Sequence, residues 1–560
     1  MPPEAHLNNR SGSRPLWAAL EPLRERIYRR IWTASILSNF GQLILGVGAA
    51  WEMTRLTASA ALVALVQTAL MLPIMLVSVP AGAIADMFDR RKIAITGLSF
   101  ATLCAAVLTT LAFNGLTTPW ILLVFCSLIG AGVALYSPAW GASIPEQVTP
   151  EHLPAAIALG SISYNLARSF GPAVGGVIVL AAGASAAFLT NSLAYLPLLL
   201  AFLLWQRKQV APRLPPERID RAIVAGVRYA IHSAPVRAAM ARAFSFGLAG
   251  AAGSALVPLV ARNLLKGNAS TYGLLLGCSG MGAVVGALLV SKTRERLSAD
   301  QAFRLCACIS GLVMLVIGLS RFLTLTAAAM ALIGMSNMLA IALLNVSVQL
   351  SVPRWVAGRA LASFQASLTG GVALGAWMWG QLAAQRSIQI AFLASGAALI
   401  LTPLIALFMP LRPLTPADSE TIDLGTDPEV ALAITGRSGP IAIEIDYRVD
   451  PAEARQFYDV MLKLQRARLR NGAFEWSLAR DLSDLELWTE RYHLPTWLDY
   501  CRLRGRFTHA DHALQAAADA FNRDRPARRV RRRLERPFGS VRWRAETPDS
   551  HGALSPVYPP

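Results

Sequence analysis

Two stretches of this chain place reactive residue types at telling intervals, GAIADMFDRRK (Gly82–Lys92) and ARSFGPAVGG (Ala167–Gly176). In the first, Gly82 and Asp86 stand four apart, and Arg90, Arg91 and Lys92 follow. A glycine there lets two helices approach closely. The Asp86 carboxylate can accept hydrogen bonds from a neighbouring helix N-terminus, and the arginines can pair with it. In the second stretch Pro172 removes one backbone hydrogen bond and bends a helix, while Gly171, Gly175 and Gly176 leave a smooth surface for a close neighbour. Arg168 is the sharpest single residue, a charge inside an apolar run. At mid-membrane such a charge costs about 2.5–3.5 kcal/mol, so it marks either a lumen or a partner. It either faces a central cavity and attracts an anionic or polar group, or is structural, bonded to helix carbonyls or paired across helices. Asn39, Gln42, Gln67, Asn165, Asn337, Asn345 and Gln365 are neutral polar groups for lining such a cavity, or for holding helices together. No Asp or Glu lies deep in an apolar run, which leaves Glu52 as the nearest candidate for a coupling carboxylate.

The elements that would carry these residues are membrane helices. Of 560 residues, 54% are hydrophobic and only 15% charged, with a mean hydropathy of +0.45. Globular chains average about 25% charged. A net charge of +18 would by itself suggest a nucleic-acid partner, but its distribution excludes that: residues 1–410 hold 29 Lys+Arg against 12 Asp+Glu, and residues 411–560 hold 23 against 22. A nearly neutral soluble tail is a poor ligand for a phosphate backbone. The six cysteines form neither a disulfide framework nor a zinc pattern. A bilayer core takes about 20 apolar residues per helix. Twelve such runs are found, near 32–53, 60–84, 93–113, 119–137, 156–181, 184–205, 239–262, 271–291, 302–320, 325–349, 359–384 and 387–409. With the N-terminus inside, the loops divide 21 Lys+Arg to 5, which predicts both termini in the cytoplasm.

The connection 206–238 stands halfway along these runs and carries Ile219, Ile223, Val227 and Ile231 on one face, the pattern of a helix lying at a membrane surface. It separates two sets of six runs that echo one another: VTPEHLPAAIAL (148–159) with SVPRWVAGRAL (351–361), and GPAVGG (171–176) with GGVALG (370–375). Gly171 aligns with Gly371 and Gly175 with Gly375. A six-plus-six repeat is the architecture of transporters whose halves rock about a central site. Gly273, Gly277, Gly282 and Gly286 in the eighth run offer a small-residue face to complement the fifth.

Gly82, Asp86, Arg90, Arg91 and Lys92 resemble the signature loop of the major facilitator superfamily, with Asp89 where that pattern usually has Gly. The resemblance implies a latch that holds the cytoplasmic side closed in one state. Gly171, Pro172, Gly175 and Gly176 are similar to the superfamily's exporter-associated motif, with Ala167 replacing its first Gly, which implies export rather than uptake. Together with YSPAWGASIPEQVTP, these segments look most like the transmembrane secretion effectors related to the enterobactin exporter. The fourth run lacks the Arg often associated with proton coupling in the wider superfamily.

The tail reads β-α-β-β-α-β: strand 441–449, helix 451–470 with Phe457, Met461 and Leu464 as its apolar stripe, strands FEWSLARD and ELWTERYHL, helix THADHALQAAADAFN, and GSVRWRAE as a last strand. That order indicates a ferredoxin-like unit. It resembles antibiotic-biosynthesis-monooxygenase-type domains, which are often dimeric, so self-association through it is expected. No constellation in it demands catalysis. His493, His509 and His512 are weak metal candidates, and Trp476, Trp488 and Trp497 serve either a ligand pocket or the core. The arginine-rich run 525–537 is suited to anionic lipid headgroups, or is a solvated basic helix or strand.

The expected protein is an all-α polytopic membrane protein of two six-helix bundles with a small α+β tail. Its segments are 1–31 (N-terminal), 32–205 (first bundle), 206–238 (loop), 239–410 (second bundle), 411–440 (linker), 441–546 (ferredoxin-like) and 547–560 (disordered). It is expected to export a small molecule (siderophore-like, drug-like or another metabolite) across the plasma membrane by proton-driven alternating access. Its partners are that substrate and the bilayer, with no nucleic acid, no metal and no cofactor. The alternative is a membrane-tethered enzyme or sensor whose tail carries the activity.

Overall fold

The computed structural model describes residues 16–149, 151–206, 227–410, 422, 428, 430–432, 434–523 and 529–535. The N-terminal fifteen residues, most of the 411–440 linker, Ile219 and Ile223 of the amphipathic stretch, the strand expected in GSVRWRAE and the segment 547–560 lie outside them.

Helix α1 (Arg26–Leu56) is followed by α2 (Ala60–Met87), α3 (Arg90–Phe113), α4 (Pro119–Ser143) and α5 (Leu153–Leu204). After the central connection come α6 (Ala234–Gly250), α7 (Ala269–Arg296), α8 (Ala299–Leu319), α9 (Leu323–Ser351), α10 (Arg354–Gln385) and α11 (Ile388–Leu401). Side-chain caps start many of them where the sequence supplies Ser, Thr, Asp or Asn: Ser59, Asp89, Thr118, Asn268 and Ser387, with Ser298 and Gln301 forming a full capping box on α8.

Helical segments stand at every one of the expected apolar runs, but among the described residues only eight helices are both long and apolar enough to cross a bilayer. The differences have local causes. The fifth and sixth runs join into one helix that breaks at Gly183, whose φ of 78° only a glycine adopts at no steric cost. The seventh run is interrupted past Gly250 by short turns around Pro258 and a π-type turn at Val260–Leu264. Helix α10 is long, but Gln365, Gly370, Gly371 and Gln381 dilute its apolarity.

The sequence repeat has a structural counterpart. A Cβ on Gly171 would stand 3.0 Å from Leu43 Cβ of α1, and one on Gly175 3.2 Å from Ile44 Cα. Their counterparts Gly371 and Gly375 press in the same way against the Phe244 and Leu248 carbonyls of α6. The fifth and eleventh runs thus pack on the first and seventh through the same pair of glycines.

The tail carries β1 (Ile441–Arg448), α12 (Ala454–Arg470), β2 (Phe474–Arg480), β3 (Leu487–Leu494), α13 (Trp497–Gly505), α14 (His509–Asp519) and β4 (Val530–Leu534). The sheet has the order β2-β3-β1-β4, with antiparallel neighbours throughout. Phe457, Met461 and Leu464 are fully buried against Ile441, Ile443, Ile445 and Tyr447 of β1. Helix α13 was not foreseen, and within the basic run Val530–Leu534 form a strand, β4, one of the readings its sequence allowed. Arg531 and Arg533 on its outer face pair with Glu444, and Arg531 also with Asp446, both on β1. These acids offset the charge that obscures the strand's alternation. The tail touches the central connection: Arg470 lies 5.6 Å over the Tyr229 ring and pairs with Asp511. Burial pushes the Tyr229 phenol up to about 12, with Arg470 opposing the shift. Residues 227–232 are helical there, with Val227 and Ile231 exposed and Tyr229 and Ala230 buried.

Candidate functional site

Helix α5 turns about 100° per residue. Leu166, Phe170, Val174 and Val177 are exposed and fall within one sector of it, an apolar stripe suited to lipid. Arg168 lies on the opposite side, in the sector of Tyr164, which is also exposed at 46%. Gly171 and Gly175, about 60° and 20° to one side of Arg168, pack on α1, and Gly176, about 80° to the other side, packs on Gly273 of α7. Arg168 therefore points into the wedge between α1 and α7, away from the lipid stripe. Half-exposed, it makes no hydrogen bond or ion pair with any described residue. The structural alternative, a guanidinium bonded to helix carbonyls or an acid, finds no support in this conformation.

The contacts across the two halves lie toward one face of the bundle. On the side where α1 ends and α2 begins, here the far side, Trp51 stacks on Tyr272 with ring centroids 5.9 Å apart. A Cβ on Gly176 would collide with Gly273 Cα and one on Gly380 would stand 3.4 Å from Ala61 Cα, while at the depth of Arg168 one on Gly280 would collide with the Ser169 carbonyl. Nearer the middle, Thr68 donates to the Ala373 carbonyl at 2.8 Å. On the near side, where the membrane sector begins and ends, a Cβ on Gly82, Gly141 or Gly358 would meet nothing within 4 Å. The halves meet on the far side and at mid-depth, while these three near-side glycines face open space. The eighth-run glycines serve two neighbours: Gly273, Gly277 and Gly280 face α5, while Gly282 and Gly286 face the Ala331 and Met335 carbonyls of α9.

This state accounts for the signature loop. Gly82 makes no close helix approach here, contrary to its expected use. Asp89, in the place of the usual glycine, accepts from the Arg91 amide and caps α3. Arg90 donates to the Ala142 carbonyl at 2.7 Å and to Glu146 at 2.9 Å. Arg91 donates to the Phe202 and Leu203 carbonyls at 2.9 and 2.7 Å. These bonds are to their own half, where the negative ends of α4 and α5 lie within reach. Lys92 is exposed, and the Asp86 side chain lies outside what the structure describes.

The other candidates divide. Asn39 donates to Ser163 at 3.1 Å, tying α1 to α5, and Asn345 accepts from Gln349 at 2.6 Å. Asn165 also has a partner. Glu52 pairs with Arg55 on its own helix at 3.2 Å. Gln42, Gln67, Asn337 and Gln365 make no side-chain hydrogen bond to any described residue and are half-exposed or exposed. Sequence reasoning missed Tyr164, one turn before Arg168. It also missed the buried cluster of the second half, where Asp300 at the start of α8 pairs with Arg242 and Arg304, and Arg242 also donates to the Met409 carbonyl at 3.0 Å. The i, i+4 spacing of Asp300 and Arg304 was the one available signal.

In the tail, Trp476 donates to the fully buried Glu490 at 2.9 Å, Trp488 packs edge-on to Phe457, and Trp497 packs at a tilt on Tyr500, so the three tryptophans belong to the core. His493 lies between Glu475 and Glu535, apart from His509 and His512, and among the described residues no three potential ligands converge on one metal position.

A family described as "Transmembrane secretion effector" matches residues 17–538. The chain belongs to that family. It is a multi-pass membrane exporter of the major facilitator type and not an enzyme. The exporter is 25% identical over 402 residues to the enterobactin exporter of Shigella boydii, across 68% of this chain and 91% of that protein. It is 24% identical over 294 residues to the staphyloferrin A transporter of Staphylococcus aureus, across 51% of this chain and 72% of that protein. Its fold is similar to an auto-inhibited POT family peptide transporter (TM-score 0.56, 12% identity, 70% and 99% of the two chains). A bacterial homologue of the lysosomal transporter Spinster, in an inward-facing and unoccupied conformation, gives 0.52 at 15% identity over 71% and 96%.

Proposed function

We propose that the exporter moves a small anionic, siderophore-like metabolite out of the cytoplasm across the plasma membrane, by alternating access of two six-helix halves with twelve spans in all. The observation that carries this reading is Arg168, a guanidinium without a partner among the described residues, turned away from the lipid stripe into the space between α1 and α7. A charge held at that depth is retained for what it binds. The relatives that export or carry enterobactin and staphyloferrin A support the substrate class, and the loop charges support cytoplasmic termini. The near side is then the cytoplasmic side, and the conformation with open space there is the substrate-loading state. Gly82, Asp86, Arg90, Arg91 and Lys92 form the latch of the opposite state. Proton drive fits Glu52 as the carboxylate nearest the pathway. The tail is a ferredoxin-like domain of the antibiotic-biosynthesis-monooxygenase type, able to self-associate, and regulatory rather than catalytic.

The test compares metabolites in the medium of cells lacking the exporter with cells carrying wild type, Arg168→Gln or Arg168→Lys. The expected result is one or more anionic compounds lost from the deletion medium, restored by wild type, substantially by Arg168→Lys, and not by Arg168→Gln. Equal loss of neutral and anionic compounds in Arg168→Gln would make the arginine structural. Truncation after residue 410 should leave export measurable, whereas a tethered enzyme would lose its activity entirely.

A further inference from the structure

The tail contains a cavity of about 290 Å³ between the inner face of the sheet and helices α13 and α14. Its floor is apolar, with Ile443, Ile445 and Val530; Tyr492 and Tyr500 stand on its walls, and α14 adds His512, Gln515 and one carboxylate, Asp519. Three guanidinia line it, those of Arg468, Arg504 and Arg532. Arg468 is neutralised internally: it pairs with the buried Glu490 at 3.2 Å and lies 5.0 Å over the Tyr492 ring.

Arg532 is different. It is the middle of three consecutive arginines on β4. Its neighbours Arg531 and Arg533 point to the outer face and pair with Glu444 and Asp446. Strand alternation turns Arg532 inward, opposite Ile443 of β1, a position where a half-buried strand ordinarily places an apolar residue. There its Nε donates to Tyr500 Oη at 2.7 Å and its guanidinium lies 5.7 Å over the Tyr500 ring. No carboxylate among the described residues meets it. One nitrogen is thus used to orient the group, and the terminal nitrogens remain to hold a planar anion in a two-point fork.

We propose that this cavity is a binding site for a small aromatic carboxylate, its carboxyl group on Arg532 and its ring on the apolar floor beside Tyr500. The volume sits at the low end of small-molecule sites, which run from about 300 to 1,000 Å³. It suits a single-ring acid rather than a multi-ring export substrate. The site is separate from Arg168, so the inference stands apart from the transport reading.

Isothermal titration of the purified full-length exporter with benzoate, and with benzamide as its neutral isostere, tests this. Saturable benzoate binding without benzamide binding is expected. Arg532→Gln should weaken it at least tenfold, Tyr500→Phe several-fold, and Arg532→Lys should keep the preference for benzoate. Arg168→Gln should leave it unchanged. Inward charges on edge strands also serve to prevent strand-to-strand association. If benzoate does not bind, or binds equally well to Arg532→Gln while that variant aggregates, Arg532 is such a guard and the proposal fails. Loss of binding in Arg168→Gln in place of Arg532→Gln would move the site to the membrane sector and also overturn it.

Discussion

Gly176→Ala is the perturbation whose effect follows most directly from the geometry. A Cβ at Gly176 would strike Gly273 Cα, a backbone atom that no rotamer change can move aside. Helices α5 and α7 would have to separate at the far side, where Trp51 and Tyr272 complete the closure. Overpacking of this kind costs about 1–3 kcal/mol. The cost falls on the far-closed state alone, because the far side parts when the halves rock the other way. A bias of that size is about 5–150-fold in the equilibrium between states. Spin labels at Arg55→Cys and Arg262→Cys, both exposed on the far side and on opposite halves, report the closure as a distance once the native cysteines are replaced. Gly176→Ala should move the distribution to longer separations and slow export. Gly82→Ala meets open space in this conformation, so it should leave the far-side distances short. Wild-type distances together with wild-type export in Gly176→Ala would refute the seam.

Asp86→Asn should cut export while leaving the protein in the membrane fraction, seen by combining flux with an immunoblot; undiminished flux would remove the carboxylate from the latch. Arg242→Ala should destabilise the second half by about 3 kcal/mol, because it breaks a buried pair and leaves Asp300, 8% exposed, with Arg304 as its cation. Thermal unfolding of the solubilised exporter reads this, and an unchanged midpoint would count against the cluster. In the tail, the hydrogen bond from His493 holds the Glu535 carboxyl below its ordinary value, with Arg491 adding to the effect. An acid depressed in the folded state stabilises above its unfolded pKa, about 4.3, and that contribution is lost as pH falls through the folded value. Amide exchange in β4, corrected for intrinsic rates, should therefore accelerate below about pH 4 in wild type and become insensitive there in Glu535→Gln.

What could be read in the sequence, and what could not, follows the range of the forces involved. The glycine pairs 171/175 and 371/375 were legible because the requirement for a bare backbone is local: each glycine reports a neighbour without naming it. The turn of the chain at Gly183 fell between two apolar runs for the same reason. The Phe457–Met461–Leu464 stripe was legible from its helical period. Partners at long range were not. Arg90 bonds to Glu146, a partner no local pattern marks and whose proximity depends on how α4 ends. Asp300 gave no sign that Arg242 would be its buried partner.

The arginine-rich run 525–537 shows the limit from the other side. Read as composition, it is a polybasic segment for a lipid surface. Read as a strand, it alternates, and alternation assigns each charge a different role. Arg531 and Arg533 are outward and paired with acids of β1, which a sequence cannot reveal until the register of β1 and β4 is known. Arg532 faces the core side, and among the described residues no acid pairs with it. The same logic holds for Arg168 in the membrane sector, where seven neighbouring residues pack or face lipid and one charge is left over. In both places the informative residue is the one whose charge no described residue pairs with, and it stands out only once every neighbouring charge has been given its partner.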